Sequence, residues 1–197
     1  MTIKILQKIK FLKKKQIKSY SLQVSGFKNY FMTPCLSCDC NNKKLLNFFL
    51  KLRRKYSHAF IKNKNISLKS TKTWYKKNLI KKKNKILFVV KNNYGKYVGH
   101  LGFNNYKNNS IEIDNVIIDN PNKKKNLARN CLHALMKFGK KKLKVKYFYL
   151  KVVNTNYKAI NFYFKNNFYI SNIVKIKSIY NKKNQKYYYL MKNLSAR

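Results

Sequence analysis

Residues 110–129 read SIEIDNVIIDNPNKKKNLAR, which predicts a strand, a lysine-rich loop and the start of a helix, in that order. Residues 110–119 are rich in β-branched side chains, as strands are. Residues 120–125 are polar, as loops are. A helix is predicted over residues 126–142, because one of its faces is apolar at helical spacing. That face consists of Leu127, Cys131, Leu135 and Phe138.

The other predicted elements lie on both sides of this stretch. Before it, the sequence predicts a short strand, two helices and a hairpin, over residues 34–40, 43–56, 67–77, 85–91 and 96–104. After it come a strand, a helix and a closing hairpin, over residues 147–153, 156–166, 168–179 and 186–194. This order predicts an α/β (α+β) fold. Its central sheet would be mixed and mostly antiparallel, with about six to seven strands and helices on both faces.

Composition narrows the class of protein. The chain has 197 residues, 45% of them hydrophobic and 15% aromatic, which suits one domain with a core and excludes intrinsic disorder. No apolar run is long enough to cross a bilayer, which excludes a membrane-spanning protein. With five Gly and two Pro, a collagen-like chain is excluded as well. Residues 1–32 are predicted to be a basic N-terminal tail, and residues 33–197 the domain.

The net charge of +43 arises from 47 Lys plus Arg against 4 Asp plus Glu. Only four of the basic residues are Arg, a bias that the codons of an AT-rich genome would produce. Dedicated nucleic-acid binders use more Arg, because a guanidinium matches phosphate better than a point charge does. Whatever its origin, this charge predicts non-specific binding of polyanions that weakens with salt.

Three of the four acidic residues, Glu112, Asp114 and Asp119, fall within eight positions of the predicted strand. Glu112 and Asp114 are two residues apart, so they project from the same face of a sheet. In a chain so poor in acids, this pair would form a negative site that holds or deprotonates a cationic amine. Ion pairs with neighbouring lysines are the structural alternative.

The loop after this strand favours phosphate binding. Free N–H groups and the positive dipole end of a helix N-terminus bind phosphate. Positive side chains there are Lys123, Lys124, Lys125 and Arg129. Asn126 can adopt the left-handed conformation that Gly would otherwise supply. Lysine triplets also occur elsewhere in the chain, so the prediction depends on the position of this one between an acid-bearing strand and a helix.

These motifs, in this order, resemble the GNAT acetyltransferase superfamily over residues 33–197. The phosphate loop of the family, Arg/Gln-x-x-Gly-x-Gly/Ala, is similar to Lys123-x-x-Asn126-x-Ala128 here, with Asn at a Gly position and Lys124 at another common Gly position. A GNAT-like fold is therefore expected.

A second motif strengthens the resemblance. The family sequence Asn-x-x-Ala-Ile-x-x-Tyr-x-x-x-Gly-Phe is matched from Asn156 to Phe168, with Asn167 in place of Gly. Residues 67–74, 98–102 and 112–116 look like a branch of the family that acetylates amino sugars or protein N-termini.

The resemblance implies roles for particular residues. Acetyl-CoA would be the cosubstrate and a primary amine the acceptor, a small molecule or a protein N-terminus, with no metal. Glu112 would be the base, with Asp114 as alternative or amine-binding partner, and Tyr163 would protonate the CoA thiolate. Asn115 and Trp74 would contact the acceptor. Contacts with acetyl-CoA are expected from Ile117, Ile118, Lys123, Lys124, Lys125, Asn126, Leu127, Ala128 and Asn156.

Two further features leave alternatives open. Cys35, Cys38 and Cys40 include one CxxC pair, but buried thiols in a strand are favoured over zinc, and reduced thiols predict a cytoplasmic location. His100 is expected to be a packed residue. The sequence therefore predicts an acetyl-CoA-dependent N-acyltransferase. The alternative is a basic nucleic-acid- or ribosome-associated binding protein on a degenerate GNAT scaffold.

Overall fold

A mixed sheet of eight strands forms the centre of the computed structural model, which describes residues 2–57, 66–119, 124–175 and 187–193. The strands are β1 (Leu22–Gln23), β2 (Tyr30–Pro34), β3 (Ile86–Asn92), β4 (Tyr97–Lys107), β5 (Ser110–Ile118), β6 (Tyr147–Val153), β7 (Phe168–Lys175) and β8 (Tyr187–Asn193). Their order across the sheet is β1-β2-β3-β4-β5-β6-β8-β7. Every neighbouring pair is antiparallel except β5 and β6, which run parallel. The predicted fold class is thus confirmed.

Five α-helices accompany the sheet within the described ranges. They are α1 (Thr2–Lys10), α2 (Lys43–Lys55), α3 (Leu68–Trp74), α4 (Leu127–Leu143) and α5 (Tyr157–Phe164). Three of them have an N-cap residue whose side chain accepts a backbone N–H of the first turn, a donor that would otherwise be unpaired. These N-cap residues are Asn42 for α2, Ser67 for α3 and Asn156 for α5. A π-helical segment, Tyr75–Ile80, continues α3. No helix in the described ranges is long and apolar enough to span a membrane.

Two hydrophobic clusters lie on opposite faces of the sheet. Alternate residues of β3 belong to different clusters, Phe88 to the larger and Leu87 to the smaller, as the two-residue repeat of a strand requires. The larger cluster contains buried residues of α1, α4 and α5, and the smaller one contains residues of α2 and the π-helical segment. Helices therefore cover both faces, as the sequence predicts.

The N-terminal residues belong to this core, contrary to the prediction of a separate tail over residues 1–32. Leu6 and Ile9 of α1 are fully buried in the larger cluster, and so is Met32 of β2. β1 and β2 also add two strands to the edge of the sheet next to β3. The sheet consequently has eight strands where about six to seven are predicted.

The strand predicted over residues 34–40 is also wrong in most of its length. β2 ends at Pro34, and a 3₁₀-helical turn, Ser37–Asn41, follows. The side chain of Asp39 accepts the backbone N–H of Leu36, which stabilises this turn in place of a strand ladder. Cys35 is buried, while Cys38 is exposed, so the two thiols of the CxxC pair lie in different environments.

A buried lysine at the end of α1 attaches this helix to the C-terminal end of the π-helical segment. Lys10 as a residue is 1% exposed. Its Nζ atom donates to the backbone carbonyls of Leu79, Ile80 and Lys82. Helix C-termini leave such carbonyls without intrahelical partners. Lys10→Met keeps the aliphatic chain and removes these donors, so we expect it to lower the free energy of unfolding by about 2–3 kcal/mol. Urea denaturation monitored by circular dichroism measures this loss.

The matched control for this variant is Lys8→Met, because Lys8 lies on the same helix and is exposed. We expect a change within about 0.5 kcal/mol there, as for surface substitutions in general. Equal stabilities of the two variants would contradict the anchoring role of Lys10.

Candidate active site

The parallel strands β5 and β6 separate part of the way along their length. They pair at Ser110 with Tyr147, Ile111 with Phe148 and Glu112 with Tyr149. Beyond Glu112, β5 continues to Ile118 and β6 to Val153, and this described part of the two strands shows no further pairing. A gap thus opens in the middle of the sheet, with unpaired backbone along both sides.

Asn115 distorts β5 at the edge of this gap. Its φ of 54° is left-handed, and the register between β4 and β5 shifts beside it. Both its backbone and side-chain N–H groups donate to the carboxylate of Asp114, and its carbonyl accepts from Nδ1 of His100. Asn is among the few non-Gly residues that adopt this conformation readily. Beyond it, Ile117 and Ile118 pair with β4 on one side only and line the gap on the other.

Glu112 and Asp114 have different environments, although they lie two residues apart. Glu112 is buried and accepts from the side-chain amide of Asn105, and its pKa is raised by burial and by the negative charge of Asp114. Asp114 forms an ion pair with Lys85 at 2.5 Å. Of the two, Glu112 is therefore better suited to accept a proton near neutral pH. The third acid of the predicted group, Asp119, pairs instead with Lys55.

Tyr163 lies in α5, the helix that follows β6. Its ring is mostly buried and packs edge-on against Phe162 and Phe168. Burial raises the pKa of its hydroxyl above the usual range, and the negative charge of Asp114 raises it further. The hydroxyl makes no hydrogen bond to the described part of the chain. The hydroxyl is thus protonated near neutral pH.

The predicted phosphate loop ends in the conformation expected of it. Asn126, at the N-cap of α4, has a φ of 65°, in the left-handed region. Leu127 is buried in the core, and its backbone N–H donates to the carbonyl of Lys124. The next two amides, those of Ala128 and Arg129, lie in the first turn, where helices leave backbone N–H groups without intrahelical acceptors, so these two are the candidates for binding an anion. Lys123 lies outside the described residues.

A cavity of about 260 Å³ opens beside this helix start. It combines residues of the predicted phosphate loop with residues in and just after α5 for which no role is predicted from the sequence. Its lining consists of Lys124, Asn126, Leu127, Ala128, Arg129, Phe162, Lys165 and Asn166. Three of these are cationic, which suits the phosphates of a nucleotide. Lys165 and Asn166 lie close after Tyr163 in the family motif, and this position in the motif is the feature of the sequence that could have identified them as candidate ligand contacts.

Asn167 repeats the substitution seen at Asn126. It stands where the family motif has Gly, and its φ of 62° is again left-handed. By contrast, Asn156 has a structural role: its side chain caps α5 by accepting the N–H of Ala159. Contact between Asn156 and the cofactor stays a prediction. Lys125, in the predicted phosphate loop before α4, is exposed.

A second, smaller cavity lies on the α2 and α3 side of the sheet. Its volume is about 80 Å³, and its lining consists of Phe49, Arg53, Trp74, His100 and Asn115. The structure thus brings together Trp74 and Asn115, both predicted to contact the acceptor. Burial lowers the pKa of His100 to about 4, so this packed ring is neutral and is not a general base near neutral pH. No group of three or more potential metal ligands occurs in the described ranges.

Comparisons with known proteins agree with this geometry. A family model described as the acetyltransferase (GNAT) family matches residues 43–168. A dodecameric spermidine N-acetyltransferase from Vibrio cholerae is 20% identical, with a TM-score of 0.63, over 85% of this chain and 95% of that one. A probable GNAT acetyltransferase from Chromobacterium violaceum is 14% identical, with a TM-score of 0.68, over 86% of this chain and 84% of that one. At these identities the two structures show the fold alone.

No curated protein matches this sequence. The family model nevertheless spans the gap between β5 and β6, the start of α4 and the whole of α5. Proteins of this family use acetyl-CoA as the acetyl donor. The chain belongs to the GNAT acetyltransferase family.

Proposed function

We propose that the chain transfers the acetyl group of acetyl-CoA to a primary amine in the gap between β5 and β6. The observation that carries this proposal is the gap itself, with a buried carboxyl group where it opens and a buried phenol on the helix after β6. The resemblance implies an amino sugar or a protein N-terminus as acceptor. The resemblance thus leaves two classes of acceptor as alternatives. The neighbour from Vibrio cholerae, a spermidine N-acetyltransferase, suggests spermidine as a third.

Holding both substrates in the gap supplies much of the rate enhancement. The pantetheine arm would pair with the free backbone edge at Ile117 and Ile118, and the pyrophosphate would bind at the start of α4. The amine nitrogen then attacks the thioester carbonyl, so that a C–N bond forms as the C–S bond breaks. Glu112 accepts the proton that the amine loses, with Asp114 holding the ammonium form beforehand. Tyr163 donates a proton to the departing thiolate.

The competing function, nucleic-acid binding, rests on the charge of +43. Polyanion binding by exposed lysines weakens steeply with salt, whereas a site with shaped contacts is less affected. The test of the proposed function therefore compares acetyl-CoA with ATP, which carries a similar charge, at about 0.3 M salt.

We expect acetyl-CoA to bind more tightly than ATP in isothermal titration calorimetry under these conditions. Arg129→Met should weaken acetyl-CoA binding about 10-fold, because it removes one charged contact from the cavity beside α4. The control is Lys137→Met, an exposed cation further along the same helix, which should leave the dissociation constant unchanged. Equal, weak binding of acetyl-CoA and ATP would refute the proposed function.

A further inference from the structure

Among the described residues that line the smaller cavity, Arg53 supplies the one cationic side chain. Phe49 and Arg53 are four residues apart on α2, so both reach the same side of that helix. The guanidinium lies 5.8 Å from the centre of the Trp74 ring, a cation–π contact. Only four residues of the chain are Arg, against 43 Lys, so this cation has the planar fork that most of the others lack.

Arg53 lacks a partner for part of its guanidinium. Its Nη1 atom is buried and has no hydrogen-bond partner in the ranges that the structure describes. Burial also lowers its pKa, as desolvation of a cation does. A buried charged donor without an acceptor is destabilising, so a ligand that provides one would gain affinity.

None of the acidic side chains of the protein has Arg53 as its partner. Asp114 pairs with Lys85 and Asp119 with Lys55, while Glu112 accepts from Asn105 and Asp39 from the backbone of Leu36. None of these four, the only Asp and Glu residues in the sequence, pairs with Arg53. The protein therefore leaves the cavity with a positive charge that its own acids do not neutralise.

We infer that the acceptor amine carries an anionic group, a carboxylate or a phosphate, that binds to Arg53. This inference rests on the proposed function and specifies its substrate class. A guanidinium donates two parallel hydrogen bonds to either anion. Asn115, which directly follows Asp114, also lines the cavity, so a zwitterion bound to Arg53 would have its ammonium end near the acids. The cavity of about 80 Å³ holds only such a terminal group.

A polyamine fits this cavity poorly. Spermidine carries only positive charges, and recognition of such a chain requires carboxylates. Within the described ranges, the cavity lining contains no carboxylate and one cation. Arg53 would therefore repel the second ammonium group of a polyamine, whichever end enters first.

Trp74 makes the inference testable without any catalytic turnover, because it is the only Trp in the chain and lines the cavity. Its fluorescence is titrated in the full-length protein at about 0.3 M salt, with and without CoA. The probes are two matched pairs, alanine with isopropylamine and O-phosphoethanolamine with ethanolamine, together with spermidine. The first pair tests a carboxylate and the second a phosphate.

We expect at least one anionic probe to bind about 10-fold more tightly than its matched amine. Arg53→Met should abolish that preference, and Arg53→Lys should retain part of it, because it keeps the charge without the fork. The matched control is Arg54→Met: Arg54 is exposed and donates to the carbonyl of Ile66. The Arg54→Met variant should prefer the anionic probe over its matched amine as strongly as the wild type does.

Three results would overturn the inference: no preference within either pair, tighter binding of spermidine than of both anionic probes, or a preference that survives Arg53→Met. The wild-type comparison stands even if Arg53→Met fails to fold, which circular dichroism detects. Acetyl-CoA affinity is measured separately, so loss of the acceptor preference is distinguishable from failure of the proposed function.

Discussion

Replacing Tyr163 by Phe should lower kcat about 100-fold while leaving the fold and the affinity for acetyl-CoA unchanged. The substitution removes only the hydroxyl, and the ring contacts with Phe162 and Phe168 remain. Without a proton donor, the CoA thiolate must leave as an anion, which raises the barrier to breaking the C–S bond. The assay measures release of the free thiol, with calorimetry and thermal melting on the same preparations.

The pH dependence of kcat provides a second readout of this role. Burial raises the pKa of the Tyr163 hydroxyl, so the acid form persists above the ordinary tyrosine value of about 10. Wild-type kcat should therefore not fall as the pH passes through that value.

The matched control is Tyr157→Phe, which changes an exposed residue at the first position of the same helix. We expect its kcat to equal that of the wild type. If Tyr163→Phe retains full activity as well, another group protonates the thiolate and the proposed acid is wrong.

Gly102→Ala should have the largest effect on stability. Gly102 lies in β4 between Leu87 of β3 and Asp114 of β5. A Cβ atom there would lie 2.1 Å from the carbonyl oxygen of Ile86, and because that atom belongs to the backbone, a rotamer change cannot relieve the clash. We expect a loss of about 3 kcal/mol or more, a large part of the stability of a typical domain. Urea denaturation gives this value.

Gly95→Ala separates steric exclusion from backbone strain. Gly95 has a φ of 68°, but a Cβ atom there would have no neighbour within 4 Å. Its expected loss is therefore only about 1–2 kcal/mol, the penalty for a left-handed alanine. If Gly102→Ala loses no more stability than Gly95→Ala, the backbones of β3 and β4 do not approach as closely at Gly102 as described.

Local patterns in the sequence predicted what local interactions determine. The helices predicted to start at residues 67 and 156 do start there, because Ser67 caps α3 and Asn156 caps α5 through hydrogen bonds that span three residues along the chain. The left-handed Asn126 was also predictable, since few residue types tolerate that conformation. Strands β3 to β6 occur where alternation and turn residues placed them.

Contacts between distant residues were not predictable in this way. The apolar face of α1 was visible in the sequence, but it equally suits a membrane, a partner or the chain's own sheet. Its anchor, Lys10, contacts carbonyls about 70 residues away. Arg53 was missed for a related reason: in a chain with 47 basic residues, one more gives no local contrast. Only the assembled cavity distinguishes it from its neighbour Arg54.

Two of the left-handed asparagines have a consequence for how such chains are recognised. Asn126 and Asn167 stand where the family motifs have glycine, yet both have φ values that favour glycine, 65° and 62°. What each turn requires is thus a dihedral angle, and an amino acid encoded by AT-rich codons supplies it. A search pattern that demands glycine letters would reject this chain, although its backbone meets the condition those letters stand for. Patterns for genomes of this composition should therefore accept Asn wherever glycine is needed for its left-handed φ and not for its small size.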